Sequence, residues 1–143
     1  MRDGTFTHTV RPRYAEVDMQ GVVFNAHWLT FFDEASTRWF GWLGFDPKET
    51  FLEGGAFDVM VVKAVVEWKG PAGFDSEVLI AVAPDRIGDK SFDVRFTATV
   101  DGRDACEGVI TYVSVTPGTM ESRPIPDVLR ARLTDVMDGK TLD

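Results

Sequence analysis

A stripe of large apolar residues recurs along the chain at spacings of four, three, four and three. Such spacings place side chains on one face of an α-helix, because the helix turns once every 3.6 residues. The stripe consists of Trp28, Phe32, Ala35, Trp39 and Trp42. Asn25 precedes it as a candidate N-cap, and Gly44 follows it as a candidate stop. The pattern predicts one long helix, with a favourable Glu34–Arg38 pair on its polar side.

Five other segments predict β-strands, chiefly by the alternation of apolar and polar positions that is typical of half-buried strands, and residues 78–83 by a short continuous apolar run. These are residues 6–14, 57–69, 78–83, 92–100 and 105–116. Pro12 favours the edge of a sheet for the first segment. Asp101-Gly102 is a typical hairpin turn, and Gly108 predicts a β-bulge. In the second segment, one face is predicted to carry Met60, Val62, Ala64, Val66 and Trp68.

The order of the elements predicts the fold class. A short helix is expected to open at Pro126 and Asp127 and to end near Gly139. The chain therefore has a strand, a long helix, four strands expected to form a meander, and a terminal helix. One long apolar helix against an antiparallel sheet is an α+β arrangement, and residues 1–143 fit a single domain. The mixed outer face of the sheet favours an oligomer interface.

Charge and cysteine usage narrow the possible partners. Fifteen Lys and Arg against 23 Asp and Glu give a net charge of −8, which repels a phosphate backbone, so no nucleic acid partner is expected. The one cysteine, Cys106, cannot form an internal disulfide, which favours a reducing compartment. No apolar run approaches the ~18 residues of a membrane helix, and residues 1–20 contain no apolar core of a signal peptide. We expect a cytoplasmic protein without membrane contact.

The motifs of several enzyme classes are missing from the sequence. There are two histidines, no H-E-x-x-H, no cysteine cluster and no carboxylate run of EF-hand spacing, so no metal or cofactor is expected. No G-x-S-x-G, no G-x-x-x-x-G-K-[ST] and no G-x-G-x-x-G after a strand occurs. Serine hydrolase, P-loop and Rossmann classes are therefore excluded.

The loop between the first strand and the long helix carries the candidate chemistry. Asp18 lies three residues before Gly21 and ten before Trp28. By propensity alone Asp18 is a turn residue or a local cap. However, a glycine lets the backbone approach a ligand, and the start of a helix offers unpaired N–H groups and a positive dipole end. A carboxylate beside such donors suits acyl transfer, which needs a group to attack or deprotonate water and another to hold the oxyanion.

The segment Asp18-Met-Gln-Gly-Val-Val-Phe-Asn-Ala-His-Trp28 resembles a known signature, D-x-x-G-[HV]-V-x-N-x-x-[YW]. This is the signature of the 4-hydroxybenzoyl-CoA thioesterase family of hotdog-fold acyl-CoA thioesterases, which includes the YbgC-like enzymes. The likeness continues through residues 32–36, 86–92 and 123–126, and so covers nearly the whole chain. It implies a hotdog fold, in which a five-stranded antiparallel sheet wraps a long central helix and a short C-terminal helix follows. The predicted order of elements agrees with that fold.

The resemblance implies hydrolysis of an acyl-CoA, aromatic such as 4-hydroxybenzoyl-CoA or aliphatic, to the free acid and CoA. It implies that Asp18, beside Gly21, is the catalytic nucleophile or general base, and that the backbone N–H near Asn25 polarises the thioester carbonyl. Because an ordinary Asp has a pKa of ~3.9 and is a weak base toward water, the chemistry favours nucleophilic attack.

The resemblance also implies partners. Arg86, Lys90 and Ser91 are expected to contact the CoA portion of the substrate, with Lys63 and Lys69 as weaker candidates. The family's active site lies between two subunits, so a homodimer or a homotetramer is expected.

Several residues depart from the family pattern or compete with Asp18. Many YbgC-like members have His where this chain has Asn25, whereas His27 stands two residues later and is interpreted as a catalytic candidate or a solvated first-turn residue. Glu34 is a rival carboxylate on the helix. Glu16 is interpreted as a supporting residue and Asp33 as a surface residue.

Two further assignments stay open on the sequence. The aromatic residues of the helix stripe are core residues that also provide a possible wall for an acyl pocket; these are Trp28, Phe31 and Phe32. The alternative function is a small-molecule or acyl-binding protein of α+β fold without turnover, in which Asp18 is only a turn residue. A hotdog dehydratase is disfavoured because its paired His and acid signature does not occur.

Overall fold

The computed structural model describes residues 5–52 and 54–142. One five-stranded antiparallel sheet is formed by β1 (Thr7–Val10), β2 (Asp58–Trp68), β3 (Val78–Ile87), β4 (Ser91–Val100) and β5 (Arg103–Val115). The helices are α1 (His27–Trp42), the one-turn α2 (Pro47–Thr50) and α3 (Asp127–Met137). The α+β class is confirmed. The α2 turn, which the apolar pattern does not indicate, begins where the Asp46 side chain accepts the N–H of Lys48 at 2.9 Å.

Helix α1 lies against the sheet with its apolar stripe buried, except for Trp42, which is half-buried. The ring of Phe32 stacks on Phe96 of β4, with centroids 5.1 Å apart. The predicted stop at Gly44 is confirmed, since this residue has a φ of +109°. The N–H of Phe45 donates to the carbonyl of Phe40, and that of Gly44 donates to Gly41, which is the pairing of a Schellman motif.

Two expectations about α1 are wrong. Ala26, rather than Asn25, occupies the N-cap position. Ala26 already has helical dihedral angles, because α1 continues a turn in which the N–H of His27 donates to the carbonyl of Phe24. No side chain caps this end. Glu34 lies 3.3 Å from Nε2 of His8 on β1 and forms no ion pair with Arg38 among the described residues.

The strand order is β1-β3-β4-β5-β2, so the expected four-strand meander is wrong. Only β3, β4 and β5 follow one another across the sheet. β2 instead pairs with β5 along nearly its whole length, because β1 already occupies the free side of β3. β1 and β2 are therefore the two edges of the sheet.

The first strand is shorter than its alternation predicts. β1 ends at Val10, and residues Tyr14–Glu16 form a turn of 3-10 helix instead of continuing it. The edge position that Pro12 predicts is confirmed, although Pro12 itself follows the strand.

The bulge predicted at Gly108 is wrong. Gly108 pairs regularly with Phe96 and Val66, and it is small because a Cβ there would lie 2.7 Å from the ring of Phe32. A bulge occurs instead on β2, where Val62 is the extra residue.

The Val62 bulge changes which β2 side chains share a face. Val61 pairs with Tyr112 and Ala64 pairs with Ile110, so both lie on the helix side, whereas Met60 pairs with Val113 on the outer side. The single face predicted for the apolar residues of β2 is therefore wrong.

Other local predictions are confirmed. Asp101 and Gly102 have φ values of +52° and +77°, as a type I′ hairpin requires. Helix α3 follows Pro126 and ends before Gly139, which has a φ of +74°. Cys106 is buried, and burial raises the pKa of its thiol to about 12. None of the described helices has the length and apolar character needed to span a bilayer.

Candidate active site

Asp18 lies in a tight turn between the 3-10 turn and α1. Its Oδ1 accepts the N–H of Gln20 at 2.8 Å and, more weakly, that of Val22 at 3.5 Å. Gly21 follows with a φ of +78°, and its own N–H donates to the Asp18 carbonyl. Oδ2 of Asp18 accepts no hydrogen bond in the described part of the chain. The carboxylate therefore holds the turn with one oxygen and leaves the other available, in a half-buried position.

Glu16 stabilises this loop through buried hydrogen bonds. It is only 4% exposed, and its carboxylate accepts the backbone N–H of Arg13 at 2.8 Å together with Nε and the terminal nitrogen of the same guanidinium. The hydrogen bonds from Arg13 hold the pKa of Glu16 below its ordinary value, despite burial, and the charge of His27 acts in the same direction. The supporting role expected for Glu16 is thus a structural one.

The entry to α1 presents two unpaired backbone donors. The N–H groups of Asn25 and Ala26 donate to no group among residues 5–52 and 54–142, whereas those of Phe24 and His27 are paired. The indole Nε1 of Trp68, at the end of β2, donates to the Asn25 carbonyl at 3.4 Å. The sequence analysis did not predict the roles of Ala26 and Trp68 at this site. Neither residue belongs to a recognisable motif, and Trp68 lies 43 positions from its partner Asn25.

The rest of the loop packs on the turn after β2. Val22 bridges to Gly73, and the N–H of Val23 donates to Ala72 at 2.8 Å. His27, the first residue of α1, is half-buried with its ring 6.2 Å from that of Phe24. Asp18, Gly21, Asn25 and His27 therefore gather at the end of the sheet where β2 finishes.

Arg86, Lys90 and Ser91 lie at the other end of the sheet, around the β3–β4 turn. The guanidinium of Arg86 binds both carboxylate oxygens of Asp93 and donates to Ser91 Oγ at 2.8 Å. This pairing lowers the pKa of Asp93. Lys90 is exposed and has no ion pair among the described residues. Arg86 and Ser91 are brought together by the fold, but not with Asp18 of the same chain.

The other candidate residues have intrachain partners, lie in the core or are exposed on the sheet. Lys69 lies 3.4 Å from Glu107, which also pairs with Arg95 on the outer face of the sheet. Lys63 is exposed on β2. Trp28, Phe31 and Phe32 are buried. Glu34 and His8 line an open cavity of about 490 Å³ between β1 and α1.

A second cleft, of about 180 Å³, lies between α1 and the first half of β2 and is called the α1–β2 cleft. Asp33, expected to be a surface residue, lines it together with Ser36, and Tyr112 forms its floor at 3% exposure. Burial raises the pKa of the Tyr112 hydroxyl to about 12, and the charge of Asp33 adds to the effect. This cleft is a feature that sequence reasoning missed.

Comparison with known proteins identifies the fold. A 1,4-dihydroxy-2-naphthoyl-CoA hydrolase of Nostoc punctiforme is 23% identical over 123 residues, which are 86% of this chain and 82% of the relative. The structure of a gentisyl-coenzyme A thioesterase superposes with a TM-score of 0.81 at 24% identity, covering 90% of this chain and 99% of the other. A Staphylococcus aureus protein solved in complex with CoA gives a TM-score of 0.86 at 15% identity, covering 100% and 90%. The architecture is that of the hotdog fold.

The family follows from a sequence model. The model of the Thioesterase-like superfamily matches residues 12–133, which are most of the chain and include the whole Asp18 loop. The chain belongs to this superfamily and is a thioester hydrolase.

Proposed function

We propose that the protein hydrolyses an acyl-CoA to the free acid and CoA, with Asp18 as the catalytic carboxylate. The observation that carries the proposal is the arrangement at the start of α1. A carboxylate oxygen without an internal partner and two unpaired N–H groups, those of Asn25 and Ala26, occur on one short loop. These are the two groups that acyl transfer requires.

In the favoured mechanism, Oδ2 of Asp18 attacks the thioester carbonyl carbon. The new C–O bond replaces the C–S bond, whose electron pair leaves with the CoA thiolate, and the N–H groups of Asn25 and Ala26 stabilise the oxyanion formed on the way. Water then hydrolyses the mixed anhydride, which releases the acid and restores Asp18. In the alternative, Asp18 takes a proton from water as the water attacks the same carbon. Gly21 serves the site through its positive φ, which closes the turn around Asp18.

The active enzyme is proposed to be a homodimer joined through β2, with a tetramer of such dimers as the larger form. β2 is an unpaired edge of 11 residues, and its large apolar side chains are exposed. These include Met60, Val61, Val62, Val65 and Trp68, the last at 54%. A long apolar edge favours pairing with another strand.

Such a dimer brings the separated residues together. A strand that pairs with its own copy about a two-fold axis runs antiparallel to it, so the Trp68 end of one β2 lies beside the Asp58 end of the other. Within one chain these ends are roughly 30 Å apart, at ~3.3 Å per residue. Each Asp18 loop then faces the partner's α1–β2 cleft and the end of the partner's sheet that carries Lys90. Lys90 and the Arg86–Ser91 pair would contact CoA there, and His27 would lie at the mouth.

The test of the proposed function is thiol release from a panel of acyl-CoAs by wild type and Asp18→Asn. Asn retains the oxygen that accepts the Gln20 N–H, so the turn is preserved and only the free oxygen is replaced. We expect wild type to turn over part of the panel and Asp18→Asn to lose about 10²-fold or more in kcat/KM. Asp101→Asn is the matched control, because it changes an exposed Asp in a turn that Asn also favours.

Equal rates for wild type and Asp18→Asn would reduce Asp18 to a turn residue. Absence of thiol release from every acyl-CoA by a folded wild-type protein would favour the binding protein without turnover. Loss of activity in Asp101→Asn to the same extent would show that the assay reports folding and not chemistry.

A further inference from the structure

The indole of Trp68 contacts the peptide unit that carries one of the two unpaired donors at the entry to α1. We propose that Trp68 is a positioning residue for thioester hydrolysis. By donating to the Asn25 carbonyl, it orients and strengthens the Ala26 N–H that stabilises the oxyanion. The proposal rests on the proposed function, because it concerns the oxyanion donors of that same site.

The carbonyl of Asn25 and the N–H of Ala26 belong to one peptide unit. A peptide unit is planar and trans, so its C=O and its N–H point in opposite directions. Nε1 of Trp68 donates to the Asn25 carbonyl at 3.4 Å, and the Ala26 N–H has no acceptor among residues 5–52 and 54–142. A donor that fixes the direction of the C=O therefore also fixes the direction of the N–H. Linked hydrogen bonds polarise one another, so the same contact makes the Ala26 N–H a stronger donor.

The two donor peptide units differ in how the backbone holds them. The unit that carries the Asn25 N–H is held by a bond of ordinary length, since the Phe24 carbonyl accepts the N–H of His27 at 2.9 Å. The unit that carries the Ala26 N–H has a longer backbone bond, in which the N–H of Trp28 donates to the Asn25 carbonyl at 3.4 Å. No side chain caps this end of α1. The second unit is therefore the one that benefits from a side-chain donor.

The sheet places Trp68 for this contact. Trp68 is the last residue of β2 and pairs with the buried Cys106, and residues that pair directly in a sheet point to the same face. The N–H of Lys69 donates to the Ala105 carbonyl at 2.9 Å, which fixes the end of the strand. Trp68 is nevertheless 54% exposed, so burial in the core does not account for a large aromatic residue here. Its contact with Asn25 does.

The first experiment compares wild type with Trp68→Phe, which keeps an aromatic ring and removes the N–H. Oxyanion donors act more strongly in the transition state than on the bound substrate, so kcat is expected to fall roughly three- to tenfold while KM stays within about twofold. Because Trp68 is half exposed, folding is not at risk. Trp42→Phe is the matched control, since it makes the same substitution at the other end of α1 beside the ring of Phe6, and its kcat is expected to stay within about twofold of wild type.

The second experiment observes the polarised carbonyl directly. Asp18→Asn is expected to slow turnover, so an acyl-CoA that wild type hydrolyses, isotopically labelled at the thioester carbonyl, can be studied in the bound state by difference infrared spectroscopy. Hydrogen bonds to a carbonyl oxygen lower its stretching frequency. Adding Trp68→Phe to Asp18→Asn is therefore expected to raise the frequency of the bound carbonyl, whereas adding Trp42→Phe is expected to leave it unchanged.

The outcomes separate this inference from the proposed function. Sedimentation first establishes that the variants form the same assembly as wild type. If wild type hydrolyses acyl-CoAs and Trp68→Phe has the same kcat, the inference is overturned and the thioesterase function stands. The inference is also overturned if the loss appears in KM, if Trp42→Phe loses as much, or if the infrared band does not move. Absence of thiol release from every acyl-CoA by folded wild type contradicts the proposed function itself.

Discussion

At the scale of single residues, the two carboxylates of the loop differ in their hydrogen bonding: Glu16 holds the backbone, and Asp18 keeps an unpaired oxygen. Glu16 is buried and fully engaged by Arg13, whereas Asp18 is half-buried and keeps one oxygen outside its turn. A carboxylate that must react benefits from a neighbour that fixes the backbone around it. The Glu16–Arg13 ion pair holds the backbone around Asp18 and leaves the Asp18 carboxylate without an ion pair in the described part of the chain, which the proposed catalytic role requires.

We expect Glu16→Gln to destabilise the fold at neutral pH by about 1–3 kcal/mol, since it weakens charge-assisted hydrogen bonds to a buried group. The pKa of Glu16 is lowered in the folded state, so its contribution is present above the unfolded pKa and is lost as pH falls through the folded value. Urea unfolding of wild type and variant should therefore differ most at pH 7 and converge toward pH 3.

The control for this prediction is Glu77→Gln. Glu77 pairs with Arg11, but both side chains are more than half exposed, so a change below about 0.5 kcal/mol is expected. A difference between Glu16→Gln and wild type that grows as the pH is lowered would contradict the assigned role of Glu16.

At the scale of elements, packing forbids a side chain at one glycine and leaves room for one at another. Gly108→Ala on β5 would place a Cβ 2.7 Å from the Phe32 ring, and we expect a loss of about 1–3 kcal/mol in unfolding free energy. Gly41→Ala in α1 meets only Pro47 at 3.9 Å, and we expect a gain of about 0.5–1 kcal/mol from helix propensity. Urea unfolding at equal protein concentration measures both, and the same sign for both variants would contradict the packing argument.

The elements that the sequence pattern predicts correctly are those whose signals are local. The apolar stripe of α1, the glycine after its end and the Asp101-Gly102 turn each act within a few residues, so each could be recognised in the sequence. The position of β2 at the far edge depends on which strand it pairs with, and the Val62 bulge depends on the register of that pairing. Neither is encoded in the alternation of a single strand.

The candidate site also has one part that local sequence predicts and one part that it does not. The Asp18 loop and Asn25 are contiguous, and a sequence signature contains them. Tyr112 and Asp33 are 79 positions apart, by subtraction of their numbers, and they meet only because β5 lies under α1. Spacing along the chain therefore carried no signal for the cleft.

At the scale of the whole molecule, the proposed dimer makes each site from two chains. We expect Asp18→Asn and Lys90→Glu subunits, unfolded and refolded together, to regain turnover with a KM for acyl-CoA near that of wild type. The mixed dimer contains one site in which a wild-type Asp18 faces a wild-type Lys90. Neither variant alone contains such a site.

The measurement is the KM for acyl-CoA in the refolded mixture, with sedimentation to establish the dimer. Refolded Lys90→Glu alone is the control for the procedure. If Asp18 and Lys90 act on the same substrate within one chain, the mixture keeps the raised KM of Lys90→Glu, and the shared-site geometry is wrong.

The two edges of the sheet also differ in a way that limits growth. β1 offers four residues and is followed by Pro12, which has no N–H to donate, whereas β2 offers 11 residues with exposed apolar side chains. A sheet with two long, apolar, exposed edge strands could pair with further copies indefinitely, as in a fibril. Among the described strands only β2 is a long apolar edge, so the proposed pairing through β2 would use it up, and the assembly would end at two copies per sheet.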